Sequence, residues 1–304
     1  MTLPRGLSAF PITPTDNQGR VDVAAYGRLV ARLAGSGVAS IGVLGSTGGY
    51  MYLTREERRR ALEAAVQAAA GRVPLVAGVG ALRTDDAVRL AQDAAEAGAT
   101  AGLLSAPSYI PLTQDEVFEH CMTVARESGL PIVLYDNPVA TGFRFSPDLI
   151  ARLAREPGVV GIKNPTESPD KTVAHLAEQR AATPAGFSVG YSGDWNCAEA
   201  LIAGADAWYS VLAGVLPAPG VAIARAVAEG DHAQARALNA ALAPVWRLFK
   251  THTSLRVVYA LAGILGLADT APPRPILPLS AEAVHEVERT LKTLPSVWPP
   301  GPQT

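Results

Sequence analysis

One lysine in this sequence follows an apolar run and could therefore act as a nucleophile. Lys163 comes directly after residues 159–162 (VVGI), which have the composition of a buried strand. A desolvated ammonium gives up its proton more easily, and the neutral amine then attacks carbonyl carbons. A second interpretation stays open, in which Lys163 is a structural cation paired with a carboxylate such as Asp136 or Asp194.

Hydroxyl groups that could assist such a lysine follow two other apolar runs. Tyr135 ends the run LPIVLY, and its hydroxyl could move protons to and from a carbinolamine, although it could equally be a rim aromatic. Ser46 and Thr47 lie in the segment GSTGG, where backbone N–H groups and hydroxyls could hold a carboxylate. The segment could also be a plain turn, and it lacks the Gly-Lys-Ser/Thr ending of a phosphate-binding loop.

A metal site is the competing chemistry. Asp136 and Asp194 each follow an apolar run, and carboxylates at strand ends can ligate Mg²⁺. The five histidines all fall in segments with a helical pattern, so none is expected at a strand end. We therefore predict no metal and keep the two-aspartate site as an alternative.

The elements that would position these residues alternate along the chain. Eight apolar runs begin at residues 6, 38, 73, 100, 130, 158, 187 and 205, and amphipathic helical segments separate them. Runs without an apolar–polar alternation are typical of parallel strands buried on both faces. Eight strand–helix units favour a (β/α)₈ TIM barrel, whose reactive residues lie at the carboxyl ends of the strands.

The pattern changes after the eighth run. We predict a barrel domain over residues 1–221 and a helical region over 222–304, with a Pro-rich connector (TAPPRPILPLS) and a loose tail (SVWPPGPQT). The N-terminus has no basic stretch followed by an apolar stretch, so no signal peptide is expected.

Composition narrows the function classes. With 48% hydrophobic residues, a net charge of −2 and a pI near 6.2, the chain favours a packed core and shows no basic footprint for nucleic acid or membranes. Its two cysteines, Cys121 and Cys197, form no disulfide framework and suit the cytoplasm. Of the 26 Lys and Arg residues only four are Lys, so few lysines compete with Lys163 as candidates.

Four motifs in order resemble the dihydrodipicolinate synthase / N-acetylneuraminate lyase family. They are GSTG at Gly45, the segment around Tyr109, LYDNPVATG at Leu134 and GIK at Gly161, and the likeness covers nearly the whole chain. The resemblance implies a TIM-barrel class I aldolase or lyase that acts on pyruvate or another 2-oxo acid. It also implies a homotetramer built from tight dimers, and no cofactor beyond the lysine Schiff base.

The resemblance assigns roles to particular residues. Lys163 matches the Schiff-base lysine and Tyr135 the proton-transferring tyrosine. Ser46 and Thr47, with Gly48, match the turn that binds the 2-oxo acid carboxylate and joins the proton relay. Tyr109 is similar to the tyrosine that completes the relay from the neighbouring subunit. Tyr209 falls where the family sets a backbone carbonyl near the lysine.

Two departures from the family pattern bear on the substrate. Gly49 replaces the usual acid of the turn, and Ala140 stands where dihydrodipicolinate synthases carry the Arg that clamps the carboxylate of aspartate semialdehyde. An alanine cannot replace a bidentate guanidinium. We therefore expect an aldehyde such as one derived from a 2-keto-3-deoxy sugar acid. The alternatives are a dihydrodipicolinate synthase that recruits another Arg, such as Arg144, and a non-catalytic 2-oxo-acid or amino-acid binding protein.

Overall fold

The computed structural model describes residue 3 and residues 5–295, and its centre is a closed barrel of eight parallel strands. The strands pair in chain order, and β8 pairs with β1 to close the barrel. They are β1 (Gly6–Ala9), β2 (Ser40–Val43), β3 (Leu75–Gly78), β4 (Ala101–Leu104), β5 (Ile132–Tyr135), β6 (Val159–Pro165), β7 (Ser188–Ser192) and β8 (Ala207–Ser210). The predicted TIM barrel is confirmed, with one strand from each apolar run.

Helices follow each strand and cover the outside of the barrel. They are α1 (Val23–Ala34), α2 (Arg55–Ala69), α3 (Thr84–Ala97), α4 (Gln114–Ser128), α5 (Pro138–Thr141), α6 (Pro147–Leu153), α7 (Pro169–Ala182), α8 (Asp194–Ile202), α9 (Pro217–Ala228), α10 (His232–Ala241), α11 (Ala243–His252), α12 (Ser254–Ile264) and α13 (Ala281–Thr293). The helices that alternate with the strands cover the barrel, because strands this short and apolar need cover on both sides, whereas α10 to α13 pack mainly on other helices.

The region after the barrel is made of helices and contains no strand in its described part, and the Pro-rich connector lies in the non-helical segment between α12 and α13. The predicted division between residues 221 and 222 stays a prediction, and helix α9 runs across that position because it closes the eighth strand–helix unit. The predicted loose tail, residues 296–304, lies outside the described residues. Among the described helices, none is both long and apolar enough to cross a membrane.

The inside of the barrel is a separate apolar cluster. Its buried members come from four of the strands and the two segments that flank β1: Leu3, Phe10, Val76, Ala101, Leu103, Val133, Tyr135, Ala207 and Tyr209. A second, larger cluster fills the space between the strands and the helices. Tyr135 therefore points into the barrel, together with aromatic neighbours, and does not face the helices.

The turn after β2 is the most constrained part of the backbone. Leu44 has a φ of 54°, in the left-handed region that non-glycine residues seldom adopt. Its carbonyl oxygen lies so close to Gly78 on β3 that a Cβ there would sit 1.7 Å from it. The glycine in β3 thus allows the Leu44 turn, and with it the segment 45–49, to pass over the barrel rim.

We expect Gly78→Ala to destabilise the fold by about 2–3 kcal/mol, because the methyl group has no room against a backbone carbonyl. Gly263→Ala is the matched control, since a Cβ at Gly263 in helix α12 meets nothing within 4 Å. That change should raise the free energy of unfolding by about 0.5–1 kcal/mol through helix propensity. Urea denaturation midpoints measure both, and equal midpoints for the two variants would contradict the packing argument.

Candidate active site

The barrel places Lys163 and Tyr135 side by side. They are register partners on β6 and β5, and the Asp136 amide donates to the Lys163 carbonyl across the same ladder at 3.0 Å. The register shifts by one residue after the pair Ile132 and Val159, so that Val133 lies opposite Gly161. Lys163 is 5% exposed, near the carboxyl end of its strand, where barrel enzymes hold their reactive groups.

Aromatic rings, and not carboxylates, surround the Lys163 amine. Its Nζ lies 3.9 Å from the ring centroid of Tyr135, 4.4 Å from that of Phe10 and 5.8 Å from that of Tyr209. Within the described residues, no carboxylate oxygen lies within 4.0 Å of this nitrogen. The structural ion pair with Asp136 or Asp194 is therefore absent, and the amine is free to react.

Phe10 belongs to this site, although no sequence pattern pointed to it. It follows β1, its amide donates to the Ser210 carbonyl at 2.9 Å, and its ring meets Tyr209 edge-on with centroids 5.8 Å apart. A Cβ at Gly42 or Gly45 would lie within 3 Å of the ring. The two glycines of β2 and its turn thus make the space that the ring occupies beside Lys163.

The Tyr135 hydroxyl is held by two side chains at the rim. The Ser46 hydroxyl lies 3.4 Å from Tyr135 Oη, and the Asn137 amide donates to Oη at 3.1 Å. Thr47 is buried in the same turn, but no hydrogen bond joins it to Tyr135 in the described structure. Of the two hydroxyl residues that the resemblance assigns to the relay, Ser46 is the one that lies within hydrogen-bond distance of Tyr135 here. Asn137 was not anticipated, although its place two residues after Tyr135, on the same face of an extended chain, is a usable signal.

The backbone conformation of the glycine-rich turn explains why Gly49 replaces the acid of the family motif. Gly49 has a φ of 64°, where a side chain is strained, and a Cβ there would lie 3.3 Å from Pro273 Cγ of the Pro-rich connector. Gly48 is equally confined, since its Cβ would lie 3.0 Å from Thr13 Oγ1. The connector therefore packs on the turn, and the acid that the family carries at position 49 would be strained there.

Two of the predicted site residues lie away from the lysine within this chain. Tyr109, in the loop after β4, is 93% exposed and forms no hydrogen bond with a described residue. Ala140 lies on the exposed surface of the short helix α5 at the barrel rim, beside Val139, which is 99% exposed. Tyr209 has its ring inside the barrel, 5.8 Å from Lys163 Nζ.

The two aspartates of the metal alternative are separate structural acceptors. The buried Asp194 accepts hydrogen bonds from Trp208 Nε1, from the Ser210 hydroxyl and from the backbone amides of Val211 and Leu212. Burial nevertheless raises the pKa of its carboxyl. These donors tie the start of α8 to the loop after β8. Among the described residues, no group of three or more His, Cys, Asp or Glu side chains could hold a metal ion together.

Asp136 points out of the barrel, toward the segment that follows α5. It accepts from the Phe145 amide at 3.4 Å, and the Arg144 guanidinium, itself 57% exposed, lies 4.0 Å from its other oxygen. Burial raises the pKa of Asp136 to about 6, against a smaller opposite effect of these two partners. Arg144 therefore faces a carboxylate of its own chain, behind the strand that carries Tyr135.

Sequence comparison places the chain in a family. The model of the dihydrodipicolinate synthetase family matches residues 3–294, and the chain belongs to this family. It is 36% identical over 282 residues to a 4-hydroxy-tetrahydrodipicolinate synthase of Methylococcus capsulatus, covering 92% of this chain and 95% of that protein. A synthase of the same name from Hyphomonas neptunium is 38% identical, with 89% and 90% covered.

Solved structures agree with this assignment. The dihydrodipicolinate synthase of Agrobacterium tumefaciens is 51% identical, with a TM-score of 0.93 over 96% of this chain and 98% of that one. A structure described as the first monomeric dihydrodipicolinate synthase variant is 27% identical, with a TM-score of 0.89 over 96% and 97%. The chain is therefore an enzyme of the class I aldolase type, a Schiff-base lyase on a TIM barrel.

We expect Asp136 to make the stability of the protein depend on pH. Its pKa is about 6 in the folded chain and 3.8 for an unperturbed carboxyl, so the folded state binds more protons between these values. The free energy of unfolding therefore falls as the pH rises through this window. Asp136→Asn removes this contribution, so its stability relative to wild type should increase by about 2–3 kcal/mol from pH 4 to pH 7.

Urea denaturation at several pH values measures the effect. The exposed Asp170→Asn is the control, because it lies on the surface in the first turn of α7. A stability difference between Asp136→Asn and wild type that stays constant from pH 4 to pH 7 would contradict the buried-acid interpretation.

Proposed function

We propose that the protein forms a Schiff base between Lys163 and pyruvate or a related 2-oxo acid, and makes or breaks a carbon–carbon bond to an aldehyde. The observation that carries the proposal is the Lys163 amine, buried at a strand end beside Tyr135 with no carboxylate within 4.0 Å in the described structure. A lysine in such a setting is suited to attack a ketone. The names of the relatives support the choice of a 2-oxo acid.

The first stage of the reaction is imine formation. The neutral Lys163 amine adds to C2 of the 2-oxo acid and gives a carbinolamine, which takes up a proton and loses water to give a protonated iminium. The iminium draws electrons from the adjacent carbon, which loses a proton and leaves a neutral enamine. The enamine carbon then attacks the aldehyde, and hydrolysis of the new iminium returns the lysine amine. Cleavage is the same sequence in reverse, and no other cofactor is needed.

Tyr135 is the proton carrier in this scheme. Its Oη lies at the rim of the barrel, where Asn137 donates to it and the Ser46 hydroxyl is 3.4 Å away. A phenol held in this way can protonate the carbinolamine oxygen and accept the proton back. In this proposal Ser46, Thr47 and the backbone of Gly48 receive the substrate carboxylate, and Tyr209 lies inside the barrel near Lys163.

The aldehyde that the site accepts is neutral at its far end. The rim position that would meet a second carboxylate is Ala140, and the nearby Arg144 faces Asp136 instead. We therefore propose a hydroxylated aldehyde, as in the 2-keto-3-deoxy sugar acids. The competing proposal is a dihydrodipicolinate synthase, the name that the relatives carry, with Arg144 turned toward the substrate.

The proposal also includes assembly of several copies of the chain, because Tyr109 would act in a neighbouring subunit. Tyr109 is 93% exposed and therefore available to a second copy of the chain, and the adjacent Ile110 is 66% exposed. We propose a homotetramer made of dimers in which Tyr109 of one chain reaches the partner's relay. One similar structure is described as a monomeric dihydrodipicolinate synthase variant, so a barrel of this kind can exist without such an assembly. Two free, buried cysteines favour a cytoplasmic location.

We expect pyruvate and borohydride together to add one reduced pyruvate to Lys163, as intact mass and peptide mapping will show. Lys163→Ala should remove both the adduct and the activity. Lys250→Ala is the matched control, because Lys250 also lies over an aromatic ring, with its Nζ 5.3 Å from the centroid of Trp195, and it should keep the adduct. An unlabelled wild type whose activity is lost to a chelator would overturn the proposal, and an unlabelled protein that pyruvate merely stabilises would favour the binding-protein alternative.

We expect the wild type to use hydroxylated aldehydes in preference to aspartate semialdehyde. Ala140→Arg should raise kcat/KM for aspartate semialdehyde by about tenfold, since a bidentate guanidinium contact to a carboxylate contributes roughly 1.5–3 kcal/mol. Val139→Arg adds the same charge at the neighbouring, exposed position and should leave kcat/KM for aspartate semialdehyde near that of wild type. Efficient turnover of aspartate semialdehyde by the wild type would establish the synthase alternative instead.

A further inference from the structure

The charge that Lys163 carries in this reaction has no carboxylate oxygen within 4.0 Å among the described residues. The titratable groups around it come from three elements: Tyr135 of β5, Tyr209 of β8 and Cys197 of α8. Burial raises the pKa of both Tyr209 and Cys197, although the charge of Lys163 partly opposes this at Cys197. Neither group therefore supplies a negative charge at neutral pH, and the electrostatic partners of the lysine nitrogen are ring faces.

Phe10 is the partner whose only contribution is its ring. The Tyr135 ring also lies over Nζ, but that residue has a hydroxyl with a separate task. The Phe10 ring lies 4.4 Å from Nζ, within the range of a cation–π contact. Gly42 and Gly45 clear the space for this ring, and it packs against the Tyr209 ring in a T-shaped contact. This arrangement is specific, since a side chain at either glycine would displace the ring.

We propose that Phe10 is a catalytic residue whose ring face stabilises positive charge on the Lys163 nitrogen and so holds the Schiff base as the protonated iminium. This inference rests on the proposed function and names a further group in the same site. Only the protonated iminium withdraws electrons well from the adjacent carbon. A neutral imine, formed when that nitrogen loses its proton to solvent, cannot pass on to the enamine.

The same ring face also acts on the free enzyme. Before substrate binds, it stabilises the ammonium form of Lys163 in place of the neutral amine that attacks. Weakening the ring face should therefore let the amine form at lower pH and let the iminium lose its proton at lower pH. The acid limb of the pH–rate profile, which reports formation of the amine, and the alkaline limb, which reports loss of the iminium proton, should therefore both move to lower pH. A loss of packing alone would lower the rate without moving either limb.

The test replaces Phe10 with 4-fluoro- and pentafluorophenylalanine, which weaken the ring face stepwise while keeping a six-membered ring. The measured reaction is exchange of the pyruvate methyl protons with deuterated solvent, followed by NMR over a range of pH. Both limbs should shift to lower pH, by about half to one unit for the pentafluoro ring. Phe10→Leu, which has no ring and no fluorine, should shift them in the same direction.

The control places the same fluorinated residues at Phe249 in α11, which is likewise buried and meets another ring, Trp246, at 5.7 Å. There the limbs should stay at their wild-type positions. Limbs that do not move with fluorination at Phe10, or that move equally at Phe249, would overturn the inference. Failure of the proposed function itself would look different, because the wild type would then form no borohydride-stable pyruvate adduct.

Discussion

The burial of one ammonium group without a carboxylate partner is the constraint on which the site depends. Taking such a group out of water is costly unless something replaces the lost hydration. Here ring faces do so, and rings need space inside a narrow barrel. Glycines of the strands provide that space: a Cβ at Gly42 on β2 would collide with the Phe10 ring, and one at Gly190, the register partner of Lys163 on β7, would lie 2.6 Å from the Tyr209 ring. Glycine is thus required at Gly42 and Gly190 because the aromatic rings around Lys163 leave no room for a side chain.

The strained backbone of the turn after β2 also follows from the space that the rings around Lys163 need. The segment after β2 must bring Ser46 within reach of Tyr135 while leaving room for the Phe10 ring beneath it. It does so through the left-handed Leu44, whose carbonyl fits only because Gly78 has no side chain. Unfavourable backbone geometry of this kind persists only where surrounding structure enforces it. The Pro-rich connector encloses the turn from outside through its contact at Gly49, so the helical region contributes to the geometry of a site that lies wholly on the barrel.

The sequence predicted the barrel and the lysine because both depend on short-range patterns: apolar runs of strand length, and a charged residue at the end of one of them. Tyr135 was accessible for the same reason. Phe10 was not, because a phenylalanine in an apolar run is indistinguishable from a core residue until the fold brings it to Lys163. Asp194 was misleading because its sequence position suggests chemistry while its contacts come from distant residues. An acid at a strand end suggests chemistry, but its oxygens are used by a tryptophan, a serine and two backbone amides, which are far apart in sequence.

Whether Lys163 meets Tyr135 or Asp136 is decided by one residue of register. The ladder between β5 and β6 begins with Ile132 opposite Val159, and continued without a break it would set Lys163 opposite Asp136. Residues opposite one another in a sheet share a face, so the lysine would then lie beside a carboxylate and form an ion pair. The shift after Ile132 leaves Val160 as the extra residue of β6, and Tyr135 becomes the partner. A bulge of this kind re-aims the side chains that follow it. The choice between a structural cation and a nucleophile, which the sequence left open, thus lies in the backbone of β6 at Val160, three residues before Lys163.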